Sequence, residues 1–138
     1  MKKLILSAFF LPFAGKAGLY SVHLPSTNVV EIRSGAWPMN LEKDDASYSL
    51  IFRDQEVMTA VVMDTLPFPN VEQLRYFGNA LSTLKTGHNG DIAKFKDYSI
   101  KRADKKFETT QYILRIKWGI TDFKQPEADI MINTIKKL

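Results

Sequence analysis

A single amphipathic segment near the middle of the chain places the strongest constraint on its fold. Apolar side chains recur at steps of three and four residues from Val71 to Leu84, so they share one face of a helix over residues 70–86. Asn70 is a favourable N-cap residue, and Gly87 is typical of a helix C-terminus. Because a helix of this kind buries its apolar face against another layer, the flanking segments must supply that layer.

The segments on either side of this helix have strand-like patterns. Residues 47–52 and 57–66 are apolar-rich runs joined by a short polar link, which predicts a hairpin. The second run is apolar on both faces, so we expect a central strand covered on both sides. After the helix, apolar and polar side chains alternate through residues 110–118, the clearest period-two pattern in the chain. Gly119 and Asp122 are predicted to break this strand.

The remaining segments complete the predicted order. Residues 29–32 and 98–101 are strand candidates, whereas residues 33–47 are predicted to be irregular. Pro126 begins a last helix, because proline is favoured in the first helical turn. Strands, a long helix, further strands and a C-terminal helix predict a single-domain α+β fold, with an antiparallel sheet flanked by a central helix and a C-terminal helix. We identify no internal repeat in the residue pattern.

This order of elements resembles that of the PsbP-like family, which is named for an extrinsic subunit of the oxygen-evolving photosystem. The resembling features are a first strand ending in proline, a hairpin, a helix, a second hairpin and a closing segment, at residues 20–25, 47–66, 71–86, 98–118 and 130–135. The resemblance implies a twisted antiparallel sheet with flanking helices, and a role in binding or assembly instead of catalysis. It carries over no functional residue.

The N-terminus predicts export. Lys2 and Lys3 precede an apolar run at residues 4–13, and small residues follow it, which are the three parts of a secretory signal peptide. We therefore expect residues 1–17 to be a signal peptide and residues 18–138 to form one domain that is periplasmic or secreted. The alternative is a cytoplasmic protein in which the apolar run is a buried strand.

The chain lacks the residues and motifs of most enzyme and metal sites. It contains no cysteine and two histidines, which excludes a disulfide scaffold, a thiol nucleophile and cysteine-based metal sites. No nucleophile elbow, zinc-protease motif or phosphate-binding glycine loop occurs. We expect His23 to be a packing residue of a strand and His88 to lie in an exposed turn. The sequence thus predicts a non-enzymatic protein with no cofactor and no metal.

Charge is distributed unevenly along the chain. Three lysines lie within residues 1–17, so residues 18–138 are nearly neutral, which argues against a nucleic-acid partner. Residues 94–124 contain nine basic and four acidic groups, whereas residues 40–64 contain six acidic and two basic groups. The basic segment is therefore expected to contact an acidic protein, a second copy of the chain or an anionic membrane surface. The candidate partner-binding residues are Lys101, Arg102, Lys105, Lys106, Arg115, Lys117 and, in a separate loop, Trp37.

Three functional hypotheses follow from these observations. The first is an exported domain that binds a protein partner or stabilises an assembly. The second is a structural subunit of a larger complex or virion whose N-terminus is not cleaved. The third is a small-ligand-binding or hydrolytic domain with an aromatic pocket, built from Tyr76, Tyr112 and Trp118.

Overall fold

The computed structural model describes residues 26–138 and contains two successive units, each with four strands followed by a helix. The elements of the first unit are β1 (Thr27–Arg33), β2 (Met39–Asp44), β3 (Ser47–Arg53), β4 (Met63–Phe68) and α1 (Val71–Lys85). Those of the second unit are β5 (Ile92–Lys94), β6 (Tyr98–Ala103), β7 (Gln111–Ile116), β8 (Gly119–Lys124) and α2 (Gln125–Lys136).

Each group of four strands forms its own antiparallel sheet, in which strands that follow one another in the sequence lie side by side. The predicted α+β class is confirmed, but the fold has two sheets where one was expected. The topology also repeats, although the residue pattern does not. The matching elements differ in length, since β1 has seven residues and β5 has three.

The helix α1 forms where its local signals predict it. The Asn70 side chain accepts a hydrogen bond from the backbone N–H of Gln73 at 2.9 Å, which caps the N-terminus. Glu72 lies in the first turn, where the helix dipole favours negative charge. The predicted apolar stripe is buried, and it comprises Leu74, Phe77, Leu81 and Leu84.

Both helices contact both sheets, so one hydrophobic core joins the two units. The helix α1 packs against β3, β4, β5 and β6, and α2 packs against β1, β7 and β8. The helices also pack against each other at Gly78, where an added Cβ atom would lie 3.1 Å from the Ile135 side chain. Three aromatic rings link β4, α1 and β6, since Phe77 lies 5.4 Å from Phe68 and 5.9 Å from Tyr98 between ring centroids. Burial raises the pKa of the Tyr98 hydroxyl group.

An arginine at the end of β1 fixes the first sheet to the second unit. Arg33 donates hydrogen bonds to the carbonyl oxygens of Trp37 at 2.6 Å and of Asp122 at 3.0 Å, and it forms an ion pair with Glu127 at 3.3 Å. Glu127 also accepts a hydrogen bond from the backbone N–H of Lys124, which caps α2. This contact therefore connects β1, β8 and the start of α2.

The prediction of a central strand over residues 57–66 is wrong over most of its length. Residues 54–62 form a loop, and β4 begins at Met63, which pairs with Arg53. The apolar run is longer than its partner strand β3. The residues of the run that extend beyond the β3–β4 pairing therefore have no residues of β3 to pair with. Their β propensity is overridden because no neighbouring strand is available to them.

Two further strand predictions need correction. The segment predicted to be irregular, residues 33–47, contains β2, in which Met39 and Leu41 are buried and alternate with more exposed side chains. Gly119 and Asp122 do not end the sheet, because they lie in β8. The break between β7 and β8 is instead a two-residue turn that contains Trp118, so this side chain does not continue the buried face of β7.

The predicted signal peptide, the strand candidate at residues 20–25 and His23 lie outside the described residues.

Candidate interaction surface

The loop that joins β3 to β4 carries a cluster of exposed apolar side chains. Met58 is 70% exposed and Val61 is 68% exposed, and Val62 and Met63 are also exposed. Apolar side chains scattered singly over a surface are ordinary, but a contiguous group of them is not. The loop is therefore the first candidate for a contact with another molecule.

Backbone hydrogen bonds hold this loop in place. The N–H of Asp54 donates to the carbonyl oxygen of Val62 at 2.8 Å, which closes the base of the loop. The N–H of Gln55 donates to the carbonyl oxygen of Ile120 at 2.9 Å, which fixes the loop to β8. The Asp54 carboxylate accepts hydrogen bonds from the N–H groups of Glu56 at 2.9 Å and of Ile120 at 3.2 Å. The loop that displays the apolar side chains is thus anchored at both ends.

The turn between β7 and β8 adds an exposed indole beside the loop. Trp118 is 76% exposed, and the Lys117 ammonium group lies 5.1 Å from the centre of its ring. Asp64 and Gly119 are in close contact, and Met63 and Trp118 directly precede them in the chain. We call this group the loop–hairpin surface, and it comprises Met58, Val61, Val62, Met63 and Trp118.

Trp37, the candidate aromatic residue of the first unit, lies at the edge of this surface. Its ring stacks on the Arg53 guanidinium group, whose central carbon is 4.0 Å from the ring centroid. A shallow cleft is lined by Trp37, Gln55, Met58 and Asp122. The structure therefore brings Trp37 together with the β3–β4 loop.

The structure separates the candidate basic residues instead of joining them. Arg115 and Lys117 lie at the end of β7 next to the loop–hairpin surface, and Arg115 is 3.9 Å from Glu56. Lys105 and Lys106 lie in the loop at the other end of β7. Six extended residues place these two ends about 20 Å apart. Lys101 is exposed in β6, between them.

Arg102, another of the candidate partner-binding residues, makes contacts within the protein. Its Nη1 atom donates to the carbonyl oxygens of Leu84, Lys85 and Gly87, each at 2.9 Å, at the C-terminal end of α1. Its Nε atom donates to Asp104 at 3.1 Å, and this hydrogen bond lowers the pKa of the Asp104 carboxyl group. The last carbonyl groups of a helix lack partners within it, and Arg102 supplies donors there in addition to the N–H of Gly87, which donates to Leu84 at 3.0 Å.

A pair of carboxyl groups lies beneath the loop–hairpin surface. Asp54 is buried, with 4% of its surface exposed, and the neighbouring Asp64 has a buried oxygen, Oδ2, with no hydrogen-bond partner. Both carboxyl groups crowd around Gly119, where an added Cβ atom would clash with Asp64 Oδ2 and lie 3.4 Å from Asp54 Cγ. Burial, followed by the charge of Asp54, raises the pKa of Asp64.

The structure also shows where the residues considered for a metal site or an aromatic pocket lie. Within residues 26–138, no group of three or more histidine or acidic side chains could hold a metal ion. His88 lies in an exposed turn, as predicted, 4.0 Å from Asp91. The aromatic-pocket hypothesis finds no support in its residues, because Tyr112 is fully buried and hydrogen-bonded to Gln125. A side chain without exposed area cannot line an open pocket.

The exposed residues that sequence reasoning missed are the apolar ones of the β3–β4 loop. Their signal was the excess length of the run 57–66 over its predicted partner 47–52, since paired strands in a hairpin have similar lengths. Trp118 was predicted to belong to an alternating strand and was named for an aromatic pocket, but not for partner binding. Across residues 26–138 we find no helix that is both long and apolar enough to cross a membrane. No protein-family model, curated protein or solved structure shows significant similarity to this chain.

Proposed function

We propose that this protein is a non-enzymatic binding domain that holds a protein partner on the loop–hairpin surface. The observation that carries this proposal is the group of exposed methionine, valine and tryptophan side chains on an anchored backbone. Contiguous apolar surface of this kind is unfavourable in water and typically marks an interaction site. Methionine and aromatic residues are also enriched in the centres of protein interfaces.

The anchoring of the loop supports binding over a merely unstructured connection. Because hydrogen bonds of Asp54, Gln55 and Val62 already fix the two ends of the loop, a partner has less of its backbone to order. A preformed apolar surface loses less conformational entropy on association than a mobile one. The loop–hairpin surface therefore has the properties of a docking site before any partner arrives.

The charges around this surface favour a protein partner. Arg115 lies beside Glu56, Lys117 lies over the Trp118 ring, and Asp122 lines the adjoining cleft, so the rim carries groups of both signs. A rim of both signs is typical of protein interfaces. A purely anionic partner, such as nucleic acid, would meet repulsion as well as attraction here.

Substitution of one exposed side chain tests whether the loop–hairpin surface binds a protein partner. We expect Trp118→Ser to reduce the amount of partner that co-purifies with the tagged full-length chain at least about tenfold, because a central tryptophan typically contributes strongly to binding. Phe107→Ser is a matched control, since Phe107 is 94% exposed in another hairpin and also lies beside a lysine, with Lys106 5.2 Å from its ring. Equal losses in both variants, or none in Trp118→Ser, would reject the proposal.

Membrane contact is the second candidate function, and Phe107 is the observation that favours it. This fully exposed ring follows Lys105 and Lys106, an arrangement that suits the interface of an anionic bilayer. Binding to anionic vesicles that is lost in Phe107→Ser but kept in Trp118→Ser would support membrane contact. If a protein partner docks on the loop–hairpin surface, its binding is instead expected to be lost in Trp118→Ser and kept in Phe107→Ser.

We also propose that the protein acts outside the cytoplasm, as the signal pattern of residues 1–17 and the PsbP-like resemblance suggest. The intact mass of the protein from the periplasmic or secreted fraction of its host is expected to correspond to a chain that begins at Gly18. A mass that begins at Met1, found in the cytosol or in a particle, would contradict export. It would favour the structural-subunit alternative.

A further inference from the structure

We propose that a proton on Asp64, donated to the neighbouring Asp54 carboxylate, holds the β3–β4 loop against β8, and that loss of this proton releases the loop. This inference concerns regulation of the loop–hairpin surface, and its consequence for binding rests on the proposed function. The movement of the loop itself does not depend on any partner.

The positions of the two carboxyl groups carry the inference. Asp54 accepts hydrogen bonds from the N–H groups of Glu56 and Ile120, so its carboxyl group serves as the acceptor that joins the loop to β8. Asp64 Oδ2 is buried without a donor. An ionised Asp64 would leave this oxygen unsatisfied and place a second negative charge beside Asp54, which is unfavourable in a site removed from water.

Protonation of Asp64 removes both difficulties. A protonated carboxyl group has one O–H donor, which can donate to a carboxylate oxygen of Asp54. The second charge then disappears, and the close approach of both groups to Gly119 is allowed. Because Asp64 lies two residues after Val62, whose carbonyl oxygen accepts from the N–H of Asp54 at 2.8 Å, movement of Asp64 would disturb the base of the loop.

The surrounding charged groups do not neutralise this pair. Glu56 adds negative charge from the loop, and it is one of the groups that raise the pKa of Asp64. The nearest positive groups have other contacts, since Arg115 lies 3.9 Å from Glu56 and Arg53 stacks on Trp37. The charged residues of the elements packed around the pair are Arg53 on β3, Glu56 on the loop, Arg115 on β7, Lys117 in the turn, and Asp122 and Lys124 on β8.

The direction of the pH effect follows from the raised pKa of Asp64. The folded protein binds this proton more tightly than the unfolded chain, in which the aspartate pKa is near its ordinary value of 3.8. The loop is therefore held most firmly at low pH. The free energy of unfolding decreases as pH rises from 3.8 through the pKa of the folded state, and above that it stays at the lower level.

Methionine methyl groups provide a direct test in the full-length chain. With 13C-labelled methionine, the NMR signals of Met58 and Met63 are expected to titrate with a midpoint above 3.8, because these residues lie on the loop and at its end. Met39 and Met131 are buried and serve as internal controls that report global unfolding. Asp64→Asn, which keeps the shape and supplies a donor without titrating, is expected to abolish the titration.

Asp97→Asn is the matched control, since Asp97 is exposed and belongs to the β5–β6 connection. It should leave the titration unchanged. Titration that persists in Asp64→Asn, or its absence from the unmodified protein between pH 4 and about 8, would overturn the inference. Either of these two NMR results would reject the role of Asp64 but would not affect the proposed function. The proposed function alone would be rejected if the methionine signals titrate as expected but the Trp118→Ser and Phe107→Ser variants bind the partner equally well.

Discussion

Replacing Arg102 with methionine is expected to lower the free energy of unfolding by about 2–4 kcal/mol. The substitution keeps an apolar stem of similar length but removes the guanidinium group that binds three carbonyl oxygens at the end of α1. The hydrogen bonds to Leu84 and Gly87 are partly buried, that to Lys85 is exposed, and each acceptor would lose a charge-assisted hydrogen bond. Since Arg102 lies on β6, the contact between α1 and the second sheet would weaken as well.

Urea denaturation of Arg102→Met and Lys101→Met tests this expectation. The two residues are neighbours on β6 and both were candidate partner-binding residues, but Lys101 is exposed. Lys101→Met should change the free energy of unfolding by less than about 0.5 kcal/mol. Similar stability of the two variants would show that the contacts of Arg102 with α1 contribute little, and would restore Arg102 as a candidate for partner binding.

The second large effect is expected at Gly119. In Gly119→Ala the new methyl group would clash with Asp64 Oδ2 and lie 3.4 Å from Asp54 Cγ. Asp54 is buried and the Asp64 carboxyl group would have to shift, so we expect the free energy of unfolding to fall by about 1–3 kcal/mol. A shift of the backbone at Gly119 would also displace the loop–hairpin surface, because Trp118 is the preceding residue in the chain.

A double-mutant cycle separates this clash from a general intolerance of the turn. Truncation of Asp64 in Asp64→Ala removes the atom that the methyl group would meet, so Gly119→Ala should be less destabilising in that background by at least about 0.5 kcal/mol. Additive effects of the two substitutions would contradict the close contact between Asp64 and Gly119. Thermal unfolding at fixed pH is sufficient for this comparison.

Local signals in the sequence predicted the elements that depend on local interactions. The helix α1 was predicted because its cap and its apolar stripe are properties of neighbouring residues. The alternation in β7 was equally visible, as Tyr112 and Leu114 are buried. The number of sheets could not be predicted, because it depends on which strand edges meet in space.

Elements that depend on tertiary pairing were predicted less well. Residues 57–62 have the composition of a strand, yet they are a loop because β3 has no further residues with which to pair them. Arg102 looked like a surface cation because the carbonyl groups it binds lie 15 to 18 residues earlier in the chain. Among the candidate residues, Trp37, Arg115 and Lys117 do lie near the loop–hairpin surface.

Site-specific photo-crosslinking in the native host tests the central claim most directly. A photoreactive residue in place of Val61, on the exposed loop, is compared with one in place of Lys101, on the outer face of β6. We expect a discrete protein adduct from position 61 only, and we expect Trp118→Ser to remove it. An adduct with twice the mass of the chain would identify a second copy as the partner. No adduct at position 61, or the same adduct at both positions, would contradict the account.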